Sequence, residues 1–404
     1  MIDLVKRELA ALQPRLVEWR RHLHRHPELS FREVNTVRYV VDLLRAEGIE
    51  VRDGVGRLNA DRPGTGAIAL VHGTLSPGDR CFALRADLDA LPITEVGKPD
   101  YCSTAPGVMH ACGHDAHTAM LLGAGMALHR LRSEWSGTVM LVFQPGEEKE
   151  PGGASLLLKE GVFNDPRPSG ILGQHVTPEL PAGTIGFRSG PFMAAADELY
   201  LTVHGKGGHA AQRDKLKLVD PILIAARLLP VLYEEMRAAV PAGEPMVISF
   251  GRLIAEGATN IVPGSLTIDG TLRTFNEELR ARLHHLLPVI CARVAGEMGG
   301  SVDVRIVKGS PVVTNDPALT ARMRALAVQL VGDRHVVDLD IRMGAEDFAY
   351  YTHVMPGCFF RLGTGNAEKP GTQGGLHTPG FDIDEDAMAT GAAMMALGAL
   401  SELD

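Results

Sequence analysis

Thr138-Val139-Met140-Leu141-Val142-Phe143-Gln144-Pro145-Gly146-Glu147-Glu148 decides how this chain is read. Thr138 to Phe143 is a short apolar run of the kind that forms a buried strand. It ends in a Pro-Gly turn and two adjacent carboxylates. Moving outward, Asp115 to Leu131 reads as a helix, and Ala67 to His72 and Cys81 to Leu88 as further buried strands. On the other side Ile171 to Val176 is another short apolar run. Strands alternating with helices imply an α/β fold, a sheet with helices on its faces. In such sheets ligands gather at the carboxyl ends of the strands, which is where Glu147 and Glu148 fall.

Leu9, Leu12, Leu16, Trp19 and Leu23 recur at steps of three and four, so the chain opens with an amphipathic helix. His26-Pro27 ends it, because the residue before proline disfavours helical geometry. The pattern changes near Gly190-Pro191. Glu198 to His204, Met246 to Leu253 and Ser265 to Phe275 look like antiparallel strands; Pro221 to Val240 and Glu277 to Glu297 look like helices. Beyond Gly309-Ser310-Pro311 the helix–strand alternation resumes and runs to a last helix, Glu385 to Leu400. The expected organisation is a catalytic domain of residues 1–191 and 306–404, interrupted by an inserted α+β domain of residues 192–305.

The 404 residues are 45% apolar and 22% charged, ordinary for a folded chain. Their formal charge of −9 offers no basic excess for holding nucleic acid. No stretch approaches the ~20 apolar residues of a membrane span, and the first residues lack a signal-peptide core. Five irregularly spaced cysteines argue against a disulfide framework and for a reducing, cytoplasmic setting.

Four places concentrate metal-binding or acid–base groups. In His110-Ala111-Cys112-Gly113-His114-Asp115-Ala116-His117, a thiolate and an imidazole stand two residues apart in a turn before a helix. Asp115 is expected to be that helix's N-cap, and His110 and His117 to pack around the site. Of the adjacent carboxylates, one can hold a metal while its neighbour faces an activated water. His175 closes the run Ile171-Leu172-Gly173-Gln174, and His377 sits in Gly374-Gly375-Leu376-His377-Thr378-Pro379. Taken singly, each has an ordinary reading: an incidental Cys-x-His pair, a solvated acidic patch, a structural histidine. Taken together, Cys112, His114, Glu148, His175 and His377 are too many ligands for one tetrahedral zinc; they fit two ions sharing a bridge, with Glu147 left for proton transfer. Cys112 is the expected bridge, because two nearby cations stabilise a thiolate. Of Asp87 and Asp89, Asp89 is the one expected to orient a ligand histidine. Thiolate and imidazole suit zinc, nickel or cobalt, and carboxylates also admit manganese.

These segments resemble the aminoacylase/carboxypeptidase-like metallopeptidases, and within them the branch of hippurate hydrolases, N-acyl-amino-acid amidohydrolases and auxin-conjugate hydrolases. The resemblance runs from Arg21-His22-Leu23-His24-Arg25-His26-Pro27-Glu28 through Arg85-Ala86-Asp87-Leu88-Asp89-Ala90-Leu91-Pro92 and the Cys112 and Glu147 segments. It continues through Gly207-Gly208-His209-Ala210-Ala211, Thr259-Asn260-Ile261-Val262-Pro263-Gly264 and Gly344-Ala345-Glu346-Asp347-Phe348 to Leu376-His377-Thr378-Pro379. It implies a metallopeptidase-like α/β catalytic domain with a mixed sheet and helices on both faces, an inserted α+β lid domain, two divalent ions per subunit on the five residues named above, and Glu147 as general base. It implies that His209 polarises the scissile carbonyl, often across a dimer, and that Asn260 and Arg273 hold a substrate carboxylate. Without it, His209 reads as an exposed turn residue and Arg273 as a strand surface residue. The family usually places a Pro-His pair soon after the lid histidine. Here Gln212-Arg213-Asp214-Lys215-Leu216-Lys217-Leu218 is longer, basic and lacks the pair. It reads as a solvated loop or as a contact for an acidic acyl group.

The expected function is hydrolysis of the amide bond of small N-acylated amino acids or conjugates, by a homodimer joined through the lid domain. Three alternatives share these residues: a dipeptidase or carboxypeptidase, a metal-free thiol hydrolase using Cys112, and a catalytically silent binding relative. Chelation separates the second; the presence of Glu147 and every ligand candidate speaks against the third.

Overall fold

The computed structural model describes residues 1–97 and 99–403. The chain forms two compact units, Met1–Gly190 with Val313–Asp340 and Asp347–Asp404, and Pro191–Val312 with Ile341–Glu346. The second unit thus runs on to Val312, past the expected residue 305, and takes in the short return Ile341–Glu346.

The first unit is built on an eight-stranded sheet. Its strands are β1 (Glu50–Val55), β2 (Gly66–His72), β3 (Cys81–Asp87), β4 (Thr138–Gln144), β5 (Ile171–Pro181), β6 (Ile185–Phe187), β7 (Val336–Asp338) and β8 (Gly357–Gly365). They lie in the order β1-β2-β4-β3-β5-β8-β6-β7. The central β4-β3-β5-β8 run is parallel, while β1, β2 and β4 are antiparallel to their neighbours on that side, so the sheet is mixed. β3 and β8 are buried at every residue, as strands covered on both faces must be.

Among the described residues, the longer helices framing the sheet are α1 (Ile2–Arg25), α2 (Val34–Ala46), α3 (His114–Arg130), α4 (Pro317–Val331) and α5 (Met388–Leu403). α1 buries Val5, Leu9, Leu12, Leu16, Trp19 and Leu23 along one stripe, and packs on α3 and α5. α3 is buried all round from His114 to Leu128, so it sits inside the core rather than on its surface. Its start is tied to β5, because Gly113 has φ +87° and a Cβ there would lie 2.3 Å from Val176. That glycine lets the Cys112–His114 turn press against the strand carrying His175.

The second unit has its own core of Leu199, Leu201, Val203, Ile224, Leu228, Leu283 and Leu287. A four-stranded antiparallel sheet runs in the order Met246–Ile254, Ser265–Thr274, Ala195–His204, Ser301–Lys308. Ala195–His204 alternates buried and part-exposed residues, the period of a half-covered strand. Helices Pro221–Ala238 and Glu277–Glu297 pack together; Asp220 and Asn276 cap them through side-chain oxygens. Under them Arg280 and Asp197, both buried, pair at 2.5 Å, and His284 reaches the same carboxylate at 2.6 Å. Among the described residues, no helix is long and apolar enough to cross a membrane.

Candidate metal centre

The parallel strands deliver one chemical group after another to their carboxyl ends. β3 ends at Asp87 and leads to Asp89; β4 ends at Gln144 and leads through Pro145-Gly146 to Glu147 and Glu148; β5 carries His175. The turn before α3 adds Cys112 and His114. The Gly374–Pro379 segment adds His377, whose N–H donates to the Ala111 carbonyl at 2.8 Å. His377 holds a left-handed φ of 60°, a conformation a non-glycine residue keeps only when its surroundings fix it.

The five expected ligand residues come together. Cys112 Sγ lies 3.3 Å from His175 Nε2 and 3.3 Å from His377 Nε2. Glu148 Oε1 lies 3.2 Å from His377 Nε2 and 3.9 Å from His114 Nε2. Their ligand atoms form two groups, Cys112-His114-His175 and Cys112-Glu148-His377, each with all atoms within 4.8 Å of one another. Cys112 is common to both. Glu147 joins His114 and Glu148 in a further group of the same reach.

Hydrogen bonds fix which nitrogen each imidazole presents. His114 Nδ1 donates to the Asp89 carbonyl at 2.8 Å, and His175 Nδ1 to the Val176 carbonyl at 2.7 Å, so both rings turn Nε2 inward. His114 Nε2 and Glu148 Oε1 are buried without a hydrogen-bond partner. Orphaned atoms of this kind cost about 1–3 kcal/mol each unless something satisfies them. Bound cations would satisfy both, and thiolate, imidazole and carboxylate donors suit a divalent transition metal. The electrostatics agree. Although burial opposes it, Asp87 and the Cys112 sulfur raise the pKa of His114 well above 6.5, the mark of surroundings that favour positive charge. Burial, with Arg361 nearby, drives His175 well below the same value, leaving it neutral. The Cys112 sulfur and then the Glu148 carboxylate, both close to its Nε2, lift His377 to about 10.

Asp89 touches more than a histidine ring. Its Oδ1 lies 3.3 Å from His114 Nδ1, and its two oxygens accept the backbone N–H groups of Glu147 and Glu148 at 3.0 Å each. Asp87 serves the neighbouring ring. It accepts from His117 Nδ1 at 2.7 Å, while His117 Nε2 accepts the Val176 N–H at 2.9 Å, so His117 braces the strand of His175. Behind these lies a network not foreseen from the sequence. Buried Arg85 bonds Asp87 at 2.6 Å, Gln144 at 2.9 Å and Asp347 at 2.9 Å. Asp347 in turn takes Gln144 Nε2 and the Ala154 N–H. Its only sequence signal was a charged residue inside an otherwise apolar strand. One expectation is corrected. Asp115 is not the N-cap of α3, a place held by Gly113; its carboxylate instead meets buried Arg20 at 2.8 Å and His24 at 2.8 Å.

Within the second unit His209 and Asn260 are neighbours. His209 pairs with Ile261 in a two-stranded ribbon, and the Ala210 N–H donates to the Asn260 carbonyl at 3.0 Å. Both side chains are exposed. Arg273 stands apart from the ribbon, half-buried on Ser265–Thr274, and donates to the Met343 carbonyl at 3.2 Å. The basic 212–218 segment contains a single helical turn, Arg213–Leu216, with Arg213 paired to Asp220 at 2.7 Å.

Known proteins are similar to this chain over nearly its whole length. Residues 83–400 match the model of peptidase family M20/M25/M40. N-acetylcysteine deacetylase of Bacillus subtilis is 36% identical, over 96% of this chain and 96% of that protein. Thermostable carboxypeptidase 2 of Saccharolobus solfataricus is 33% identical, over 99% of this chain and 98% of that one. The solved structure of the Bacillus subtilis YXEP protein, described as a dinuclear metal binding peptidase, matches with a TM-score of 0.82 at 34% identity, over 98% of this chain and 99% of that one. The chain therefore belongs to peptidase family M20/M25/M40 and is a hydrolase of that family.

Proposed function

We propose that this hydrolase cleaves the amide bond of small N-acylated amino acids or similar acyl conjugates. In this reading Cys112, His114 and His175 hold one divalent ion, and Cys112, Glu148 and His377 hold a second. The observation that carries it is the sharing of Cys112 between two groups of ligand atoms that include two buried ones without a hydrogen bond. The relatives named as a deacetylase and as a dinuclear metal binding peptidase support the same reading.

Bound at such a site, divalent ions polarise a carbonyl and acidify water, toward a pKa of about 7 in the best cases. The protein's own residues do the rest. Glu147 follows the strand-end turn, within ligand reach of His114 and Glu148, and its backbone N–H is held by Asp89. There its carboxylate takes a proton from the attacking water and returns it to the departing nitrogen. Asp89 and the Val176 carbonyl keep the His114 and His175 rings aimed inward throughout. His209, Asn260 and Arg273 belong to the same proposal: His209 Nδ1 accepts the Ala211 N–H, which leaves its Nε2–H to donate to a carbonyl oxygen. Arg273 offers a fork-shaped partner for a carboxylate. A homodimer through the inserted domain is supported by the open edge strand Met246–Ile254, where Leu253 and Ile254 are exposed. Zinc, nickel, cobalt and manganese all suit this donor set.

A metal-free thiol enzyme needs a depressed thiol pKa, and here burial, with Glu148 close by, raises that of Cys112. Cleavage of a dipeptide or of a carboxy-terminal residue uses the same centre, as the carboxypeptidase relative suggests. A panel of N-acetyl and N-benzoyl amino acids beside dipeptides separates these substrates. On the preferred one, Glu147→Ala lowers turnover by about 10²–10⁴-fold while metal content stays at the parent level. Turnover surviving in that variant rules out Glu147 as the proton carrier.

A further inference from the structure

The turn that presents Glu147 is gripped by two buried carboxylates. Three consecutive backbone N–H groups donate to them: Gly146 to Glu33 Oε1 at 2.8 Å, and Glu147 and Glu148 to the two oxygens of Asp89 at 3.0 Å. Glu33 comes from the segment just after α1, far from the turn in sequence. It is fully buried, and its second oxygen accepts the Thr65 hydroxyl. Its neighbours grip the same turn. The Ser30 hydroxyl donates to Asp89 Oδ2 at 2.7 Å. Phe31, with a left-handed φ of 63°, lays its ring on Gly146 so closely that a Cβ there would come within 2.3 Å.

Among the described residues, no lysine, arginine or histidine pairs with Glu33. Burial, and then the nearby charge of Asp89, push its pKa up to about 7. An unpaired carboxylate in such a place costs stability, and an apolar residue filling the same space would cost less. What the carboxylate supplies and an apolar residue cannot is an acceptor for the Gly146 amide, one residue before Glu147. A carboxylate that moves a proton must be held to a fraction of an ångström, since a misplacement of about 1 Å costs on the order of 10²-fold in rate.

We propose that Glu33 is a positioning residue for Glu147: by fixing the Gly146 amide it sets the direction in which the Glu147 side chain leaves the turn. This rests on the reading of Glu147 as proton carrier. Glu33→Gln keeps an acceptor for Gly146 and can donate to Thr65; Glu33→Ala keeps neither; Thr65→Val removes the hydroxyl that holds the far oxygen. With the full chain loaded with zinc and an N-acetyl or N-benzoyl amino acid as probe, Glu33→Ala lowers kcat about 10–100-fold. KM stays within about twofold, bound zinc per chain is unchanged, and Glu33→Gln recovers to within about threefold of the parent. Thr65→Val shows a smaller loss in kcat alone. The proposal is overturned if Glu33→Ala keeps the parent kcat, if zinc is lost in step with kcat, or if Glu33→Gln is no better than Glu33→Ala. Should Glu33→Ala not fold, an active Glu33→Gln with a slowed Thr65→Val upholds it, and an inactive Glu33→Gln or an unaffected Thr65→Val overturns it. Glu147→Ala, assayed alongside, tells the two readings apart: if it turns over at the parent rate the fault lies with Glu147, whereas an inert Glu147→Ala beside an unaffected Glu33→Ala faults only Glu33.

Discussion

Replacing Cys112 by alanine is the sharpest perturbation of the proposed centre, because its sulfur belongs to both groups of ligand atoms. Sγ lies 3.3 Å from His175 Nε2 on one side and 3.3 Å from His377 Nε2 on the other. Four-ligand zinc sites bind with about 10–16 kcal/mol, so one ligand is worth roughly 3–4 kcal/mol. That is a loss of about 10²–10³ in affinity per missing ligand. His175→Ala removes a ligand from the Cys112-His114-His175 group alone, and His377→Ala from the Cys112-Glu148-His377 group alone. Cys112→Ala removes one from each. At a fixed free zinc concentration that just saturates the parent, each histidine variant should retain one ion per chain and Cys112→Ala close to none. Mass-spectrometric zinc counting on gel-filtered protein reads the ratio, and circular dichroism checks that the fold persists. A Cys112→Ala chain that holds even one ion as firmly as the parent does would refute the shared sulfur.

Asp89→Asn leaves one acceptor oxygen where the Glu147 and Glu148 amides need two, and turns an NH2 group toward the other. It should lower kcat and zinc affinity by about 10–100-fold each, read by steady-state kinetics and zinc titration; parent values for both would reduce Asp89 to a space-filler. In the inserted domain, Asp197→Ala leaves buried Arg280 with only Glu277 and the Gly309 carbonyl, and should cost about 3 kcal/mol in urea unfolding of that unit. Burial would raise the pKa of Asp197, but hydrogen bonds and charge from Arg280, then His284, hold it below the usual range. A depressed pKa gives stability that is complete above the unfolded value of about 3.9 and fades as pH falls below it. Asp197→Asn should therefore flatten the acid limb of that unit's stability curve below about pH 4, which urea melts at each pH will show or refute.

The apolar stripe of α1 and the uninterrupted runs of β2, β3 and β4 were legible because period and length alone separate a half-buried helix from a fully buried strand. α2 and the edge strand β1 were not foreseen. Glu50–Val55 carries Glu50, Arg52 and Asp53 among its six residues, and only pairing with β2 makes it a strand. Asp115 looked like a cap because it opens an apolar run. In the folded chain Gly113 takes that place, and the carboxylate, in the first turn of a buried helix, is drawn to the guanidinium of Arg20, 95 residues away. Glu33 and Arg85 carried no local sign of their partners. Their hydrogen bonds reach to Gly146, Gln144 and Asp347, and nothing in a one-dimensional pattern records such distances.

What the amino-acid order determined by itself was the kind of chemistry. Residue type fixes which atoms can bind a divalent ion or move a proton, and strand-end positions fix where such atoms collect in an α/β sheet. What only the tertiary structure decided was how they divide the work: which imidazole nitrogen faces inward, which ligand atoms fall in the same group, and which carboxylates hold the backbone of the Glu147 turn. Those are properties of distance and direction, set by the packing of segments up to 265 residues apart in the chain.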